Sequence, residues 1–294
     1  MVTQSRRGSA SQVGLLLQQW RRIRRKSQLA LALDADVSPR HLSFVESGRS
    51  NPSREMVLIL ANALDVPLRE RNDLLLAAGY APIYRQTGLA APEMRQARRA
   101  LDCLLRQQEP YPAVVMDRHW NLLMTNEAGT RFFESLIDLT AVPGQANVMR
   151  TMLHPDGVRP FIVNWEAVAE ALVQRVHREA IGGVPDEETR LLLAEILAYP
   201  DMPRRWRTPN LTTASPPFLA VQFRKGDLAL SYFSTVTTLG TPQDITLQEL
   251  RIESFFPADE ATEIHARRLA REWAGATSSP DGDRALSGSL LVRT

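Results

Sequence analysis

Arg40, His41, Ser43, Phe44 and Ser47 fall within one short stretch and recur on the polar side of a helical repeat. They combine hydrogen-bond donors, acceptors and an apolar ring, a set able to contact base edges and thymine methyls in a DNA major groove. Elsewhere the residue types that bond-making chemistry needs are scattered. The histidines, His41, His119, His154, His177 and His265, contain no i, i+4 pair, and Cys103 is the single cysteine. An internal disulfide and a multi-cysteine zinc site are therefore excluded. The G-x-S-x-G, H-E-x-x-H, P-loop and dinucleotide-binding glycine patterns are all absent. We expect neither enzyme activity nor a metal or cofactor.

The elements that position the polar face are short helices with clear start signals. Ser38-Pro39 is a hydroxyl N-cap followed by proline at the first helical position, and Gly48 ends the helix it opens. Ser27 caps the preceding helix, Gln28 to Ala35, with the turn at Asp36-Val37. Leu31, Ala32, Ala35, Val37, Leu42 and Val45 fall where two such helices must bury their interior, the plan of a helix-turn-helix. Ser38 and Pro39, at the start of the second helix, join the candidate DNA-contacting set. Three further helices are expected: Val13 to Arg25, Arg54 to Leu64, and one opened by Pro67 that runs to Gly79. Residues 1–85 carry 13 Lys/Arg against 7 Asp/Glu, net +6, whereas the remainder is net −4, so only the first segment looks suited to a polyanion.

The run Gln28 to Ala32, then Val37 to Arg49, then Asn51-Pro52-Ser53 resembles the Xre/lambda-repressor family of DNA-binding domains over about Val13 to Tyr80. The resemblance implies that Gln28, Arg49 and Asn51 bind DNA phosphates. Asp36 stands where that family's turn usually has glycine, which predicts a slightly strained turn.

Pro82, Gly88 and Ala90-Ala91-Pro92 mark a linker, and Glu93 to Gln108 reads as a connecting helix with an apolar stripe. That stripe either pairs in a dimer or covers the next domain. Ala113–Asp117 and Trp120–Asn126 read as a β-hairpin, followed by a helix from Glu127 to Ile137. Helices are expected near Asn147 to Leu153, Phe161 to Ile181, Asp186 to Ala198 and Asp259 to Trp273. Three more strands are expected at Phe218 to Arg224, Leu228 to Thr238 and Ile245 to Phe256, with Gly240–Asp244 as a turn. The fold class is thus multi-domain: an all-α helix-turn-helix bundle, then an α+β domain with a five-stranded antiparallel sheet and a concave pocket. The expected divisions are a flexible 1–12, a DNA-binding domain at 13–81, a linker and connecting helix at 82–110, a second domain at 111–274 and a mobile tail at 275–294.

Asp117-Arg118-His119-Trp120-Asn121, Asn126, Asn147-Val148-Met149-Arg150, Trp165, Trp206 and Phe256–Thr262 resemble the PAS-like ligand-binding domain of the MmyB-like transcription regulators, in which an Xre-type domain comes first. The resemblance implies a buried fatty-acid-like ligand that tunes DNA binding. Trp120, Phe132, Phe133, Trp165, Trp206, Phe223, Tyr232 and Phe233 are candidates to line its pocket, although aromatic residues at these spacings are more often plain core. Arg150 is the candidate partner for a carboxylate head group, with a salt bridge to a nearby acid as the alternative. The expected partners are double-stranded DNA, a small apolar ligand and a second copy of the chain. A ligand-free second domain serving dimerisation or protein interaction is the alternative. No apolar run reaches the 18 to 20 residues, roughly, that cross a bilayer, and the lone cysteine suits a reducing compartment, so a cytoplasmic location is expected.

Overall fold

In a computed structural model the described residues are 11–138, 146–181, 186–209 and 219–277. The flexible-terminus expectation for 1–10, the tail beyond 277 and the strand start at Phe218 lie outside them. The chain forms two compact units; the first holds the residues up to Thr87 together with Thr241–Gln248.

The first unit contains α1 (Gln12–Ile23), α2 (Gln28–Asp34), α3 (Pro39–Glu46), α4 (Arg54–Ala63) and α5 (Leu68–Ala77). Serine hydroxyls cap three of them: Ser11 on α1, Ser27 on α2 and Ser53 on α4. Ser38 occupies the N-cap position of α3 without a side-chain cap, so Pro39 supplies the start signal there. The turn between α2 and α3 takes Asp36 to φ +50, the strained left-handed conformation expected of it. Val13, Leu17, Trp20, Leu31, Leu42, Val45, Leu60 and Leu75 form the core.

Gly14 decides how closely α1 crosses α3. A β-carbon there would sit 2.7 Å from the carbonyl oxygens of both Val45 and Glu46. The constraint is space, since those acceptors are backbone and cannot swing aside.

The segment Thr241–Gln248 corrects the expected strand at Ile245 to Phe256. Ile245–Glu249 is a helical turn, α11, and the strand begins only at Arg251. Asp244 overrides the β-propensity of Ile245 and Thr246, because its Oδ1 accepts the Thr246 N–H at 2.9 Å and starts a helix. Within the first unit, Ile245 N–H donates to Arg85 O at 2.8 Å and the Thr87 hydroxyl donates to Asp244 Oδ2 at 2.7 Å. Gln248 Oε1 accepts the Leu68 N–H at 2.7 Å, at the start of α5.

The second unit begins with α6 (Arg95–Gln108), preceded by a short 3-10 turn at Pro92–Met94. Its strands are β1 (Ala113–Met116), β2 (Leu122–Thr125), β3 (Val221–Lys225), β4 (Leu228–Thr237) and β5 (Arg251–Pro257). They form one five-stranded antiparallel sheet, as expected, in the order β2-β1-β5-β4-β3. Helices α7 (Glu127–Leu136), α8 (Val148–Leu153), α9 (Trp165–Ile181) and α10 (Glu187–Ala198) pack on the sheet face that carries Val114, Met116, Phe223, Tyr232 and Phe255. The last helix is α12 (Glu260–Thr277).

Two buried asparagines fasten helices to the hairpin. Asn126 Oδ1 accepts from Ala113 N at 2.8 Å and Gly129 N at 2.9 Å, while its Nδ2 donates to Tyr111 O. Asn147 caps α8 and donates from Nδ2 to His119 O at 2.8 Å and Asn121 Oδ1 at 3.1 Å. The expected helix from Phe161 starts later, at Trp165, because Val163 N–H instead donates to Gln222 O beside β3. Met94, Leu101 and Leu105 are buried on the inner side of α6, and Gln108 Nε2 donates to Phe255 O at 2.7 Å. The stripe therefore covers its own domain, leaving Cys103 and Leu104 exposed.

Gly14→Ala is expected to destabilise the first unit by about 1–3 kcal/mol through overpacking. Urea unfolding followed by circular dichroism would measure it; an unchanged midpoint would contradict the crossing described.

Candidate DNA-binding surface and ligand cleft

Helix α3 is held by a charge inside the first unit. Glu46 is 1% exposed, and Arg21 donates to both its oxygens, from Nε at 2.8 Å and Nη2 at 2.9 Å. Gln28 Nε2 adds a third bond at 2.7 Å, and Gln18 Nε2 donates to the Glu46 carbonyl at 2.9 Å. The hydrogen bond to Glu46 raises the Arg21 guanidinium above its ordinary value, against the opposing effect of burial. One carboxylate thereby ties together α1, the start of α2 and the end of α3. Sequence reasoning missed Glu46 and Arg21. The available signal was an acid next to the core position Val45.

On the outer side, Ser38, Pro39, Arg40, Arg49 and Asn51 are exposed, while His41, Ser43, Phe44 and Ser47 are half-buried. Phe44 lies between two guanidinium groups, Arg40 at 5.4 Å and Arg49 at 5.8 Å from the ring centroid. Neither arginine forms an ion pair with a described residue. Ser47 Oγ donates to Phe44 O, and Asn51 Nδ2 donates to Ala78 O at 3.3 Å. The structure thus gathers Ser38 to Asn51 on one surface. Gln28 lies at the start of α2, its amide nitrogen engaged by Glu46.

The candidate ligand residues are dispersed through the second unit. Trp120, Trp206 and Phe223 are almost wholly buried core side chains. Phe132 makes edge-to-face contacts with Phe133, Phe223 and Tyr232, at 5.0 to 5.5 Å between centroids. Phe233 stacks on Phe256, and Trp165 lies under Arg159 at 4.6 Å. His177 Nε2 lies 2.8 Å from Trp206 O, which fixes the proton on that nitrogen, while Trp206 Nε1 finds no partner among the described residues. Arg150 is engaged: Nε and Nη2 each donate to Glu195 at 2.8 Å, and the Tyr199 hydroxyl donates to Glu195 Oε1 at 2.7 Å. A ligand carboxylate at Arg150 would have to displace Glu195.

An almost wholly apolar cleft of about 400 Å³, its open mouth included, lies between β1, β2, α7 and α8. Val114, Leu122, Phe133 and Val148 line it, with Thr125, Thr130, Asn147 and Thr151 at its polar edge. Of the sequence candidates only Phe133 is there. Most of that space is open to solvent; the enclosed part is about the size of one water molecule, far below the roughly 300–1,000 Å³ of small-molecule sites, so a ligand would have to widen the cleft to enter it.

Trp120 marks a second, charged region that sequence reasoning missed. It adopts φ +68, its indole donates to Glu179 Oε2 at 3.1 Å, and Arg175 and Arg251 lie 4.3 Å and 5.2 Å from its ring centroid. Asp117 makes the turn that puts it there, accepting from His119 N and Asn121 N. Among the described residues no group of three or more His, Cys, Asp or Glu side chains could hold a metal, and no helix is long and apolar enough to cross a membrane.

Comparison with known proteins defines the class first. A helix-turn-helix family model matches residues 17–71. The model described as the MmyB-like transcription regulator ligand binding domain matches residues 97–269, more than half of the chain, and the chain belongs to that family. It is a DNA-binding transcription regulator with a ligand-binding domain. No curated protein matches it. Among solved structures it is similar to the PAS domain of Bordetella pertussis BvgS, at 14% identity and a TM-score of 0.27, covering 62% of this chain and 99% of that one. An RNA-binding light-oxygen-voltage receptor shares 12% identity at a TM-score of 0.24, covering 90% of this chain and 64% of that one. At those scores neither likeness bears on the fold, which rests on the strand order.

Two outcomes are expected here. Arg21→Ala leaves the buried Glu46 carboxylate without its charged partner and should destabilise the first unit by about 3 kcal/mol or more, read from urea unfolding. The Arg150 hydrogen bond holds the Glu195 carboxyl below its ordinary value of 4.5 despite partial burial. A lowered folded pKa means that its stabilisation is complete above pH 4.5 and is lost as pH falls through the folded value. With these side chains 24% and 38% exposed, the contribution is about 0.5–1 kcal/mol. Glu195→Gln should make the acid decline in stability shallower; an identical decline would refute the assignment.

Proposed function

We propose that this protein is a ligand-responsive transcription regulator of the cytoplasm, acting as a homodimer. Each α3 lies in a major groove of double-stranded DNA, and the two half-sites of a pseudo-palindromic operator are spaced by about 34 Å or a multiple of it. Arg40, His41, Ser43, Phe44 and Ser47 face base edges, with Ser38 and Pro39 at the entry of the helix. Gln28, Arg49 and Asn51 hold phosphates. The ligand is small and apolar or amphiphilic, of fatty-acid type, and occupies the second domain without turnover.

The observation that carries the ligand part is the almost wholly apolar lining of the cleft between β1, β2, α7 and α8, which suits an acyl chain once the helices part to admit it. A ligand shifts DNA binding only by binding the competent and incompetent arrangements with different affinity. One specific observation favours a second reading, a ligand-free interaction module: most of the candidate aromatic side chains pack on one another, and Arg150 is already paired.

Mass spectrometry under native and then denaturing conditions separates the two. The ligand reading expects a dimer that releases a stoichiometric amphiphile or takes up added fatty acid. A bare mass that stays unchanged in fatty acid would support the interaction module. For the DNA surface, Arg40→Ala is expected to cost about 1–3 kcal/mol and relax preference at one operator position. Equal weakening on every sequence in a fluorescence-anisotropy series would make Arg40 a phosphate contact.

A further inference from the structure

Helix α6 carries Arg95, Arg98, Arg99 and Arg106, which at 100° per residue fall within a sector about 100° wide. Asp102 is the one acid among them. Burial of Met94, Leu101 and Leu105 fixes the rotation of the helix and leaves the row on its flank: Arg95, Arg99 and Arg106 are exposed, and Arg98, next to the buried stripe, is half-buried. None of the four guanidinium groups forms an ion pair with a described residue. Elsewhere in the same unit Arg118, Arg150 and Arg251 are each held by a carboxylate, which gives them a structural use. The α6 row has none. Arg95, Arg98 and Arg99 instead converge with Asp102 on an open groove beside Ala90–Pro92.

We infer that this arginine row is a second DNA-backbone contact, supplied by the ligand-binding unit in addition to α3. The inference rests on the DNA-binding reading above. Three features of the row fit a duplex backbone. Guanidinium groups pair with phosphate oxygens in a bidentate fork and remain charged at any working pH. From Arg95 to Arg106 the helix advances about 16 Å at 1.5 Å per residue, a length that faces several phosphates. The tether is short as well: eight residues from Thr87 to Arg95 reach at most about 28 Å, less than one turn of B-DNA at about 34 Å. The row is concentrated in a part of the chain that is otherwise net acidic, since everything beyond Arg85 amounts to −4.

The consequence for regulation is direct. Phosphate contacts from the ligand-binding unit add to affinity on any sequence, so a ligand that reorients that unit changes DNA binding without altering α3.

The test measures the salt dependence of binding for the full-length protein on a random-sequence duplex a few helical turns long. Such binding is electrostatic, and the slope of log K against log salt changes by about 0.9 for each phosphate contact. The variant Arg95→Ala/Arg98→Ala/Arg99→Ala should flatten the slope by about 2.7 between 50 and 200 mM salt, and the triple lysine variant should restore most of it. Should the triple alanine variant fold poorly, Arg99→Ala alone, at an exposed position, should flatten the slope by about 0.9. Binding by the wild type with the same slope in the alanine variants overturns the inference while leaving the DNA-binding reading intact. Absence of any salt-dependent binding by the wild type overturns both. Loss of binding to phosphatidylglycerol-containing vesicles in the triple variant, with the DNA slope unchanged, assigns the row to a lipid surface and overturns the inference.

Discussion

A charge held inside a small domain has to be matched on the spot, and Glu46 imposes that demand on the DNA-binding unit. Its two oxygens receive three donors, two from Arg21 on α1 and one from Gln28 on α2, while its own backbone sits on α3. Hydrophobic contact alone fixes distances between helices but leaves them free to slide; directional bonds to one buried acid remove that freedom. The close crossing at Gly14 works with it, bringing α1 onto the carbonyls of Val45 and Glu46. The outer face of α3 therefore projects Arg40, Ser43 and Ser47 at a set angle. Gln28, at the start of α2, is bonded to the same internal acid.

The second unit uses neutral groups for the same purpose. Asn126 and Asn147 each satisfy backbone donors at a helix start and also bond the β1–β2 hairpin, so α7 and α8 are located relative to the two strands that wall the cleft. The inner face of the sheet is consequently divided. Phe132, Phe223, Tyr232 and Phe255 form an aromatic end, and burial pushes the Tyr232 hydroxyl well above its ordinary value. Trp120, Arg175, Glu179 and Arg251 form a charged end, with the apolar cleft on the β1–β2 side.

Much of this was legible in the sequence because it is written in local signals. Serine caps, Pro39, Gly48 and the apolar repeat locate α1 to α5, and Asp117 and Asn126 bracket the hairpin. What was not legible depends on side chains distant in sequence meeting in space. The one local hint for Glu46 is its place beside the core position Val45, and nothing local names Arg21, 25 positions earlier, as its partner. Arg150 shows the same limit, since its partner Glu195 comes 45 positions later. Aromatic type did not locate the cleft, because Phe132, Trp206 and Phe223 fill the core while threonines and small aliphatic residues border the opening. The strand expected from Ile245 failed for a local reason: one carboxylate, Asp244, caps a turn of helix that β-propensity opposes.

The return of Thr241–Gln248 to the first unit alters what counts as its sequence. Pro67 occupies the N-cap position of α5 and has no side-chain oxygen to offer, and Gln248 supplies the missing acceptor to Leu68 from far along the chain. Asp244 and Ile245 likewise bond the stretch at Arg85 to Thr87. A fragment ending at Thr87 would begin its last helix with an unanswered donor. In evolutionary terms, the DNA-binding module is not a contiguous cassette: a transplanted copy would keep these bonds only if the β4–β5 connection of the sheet travelled with it.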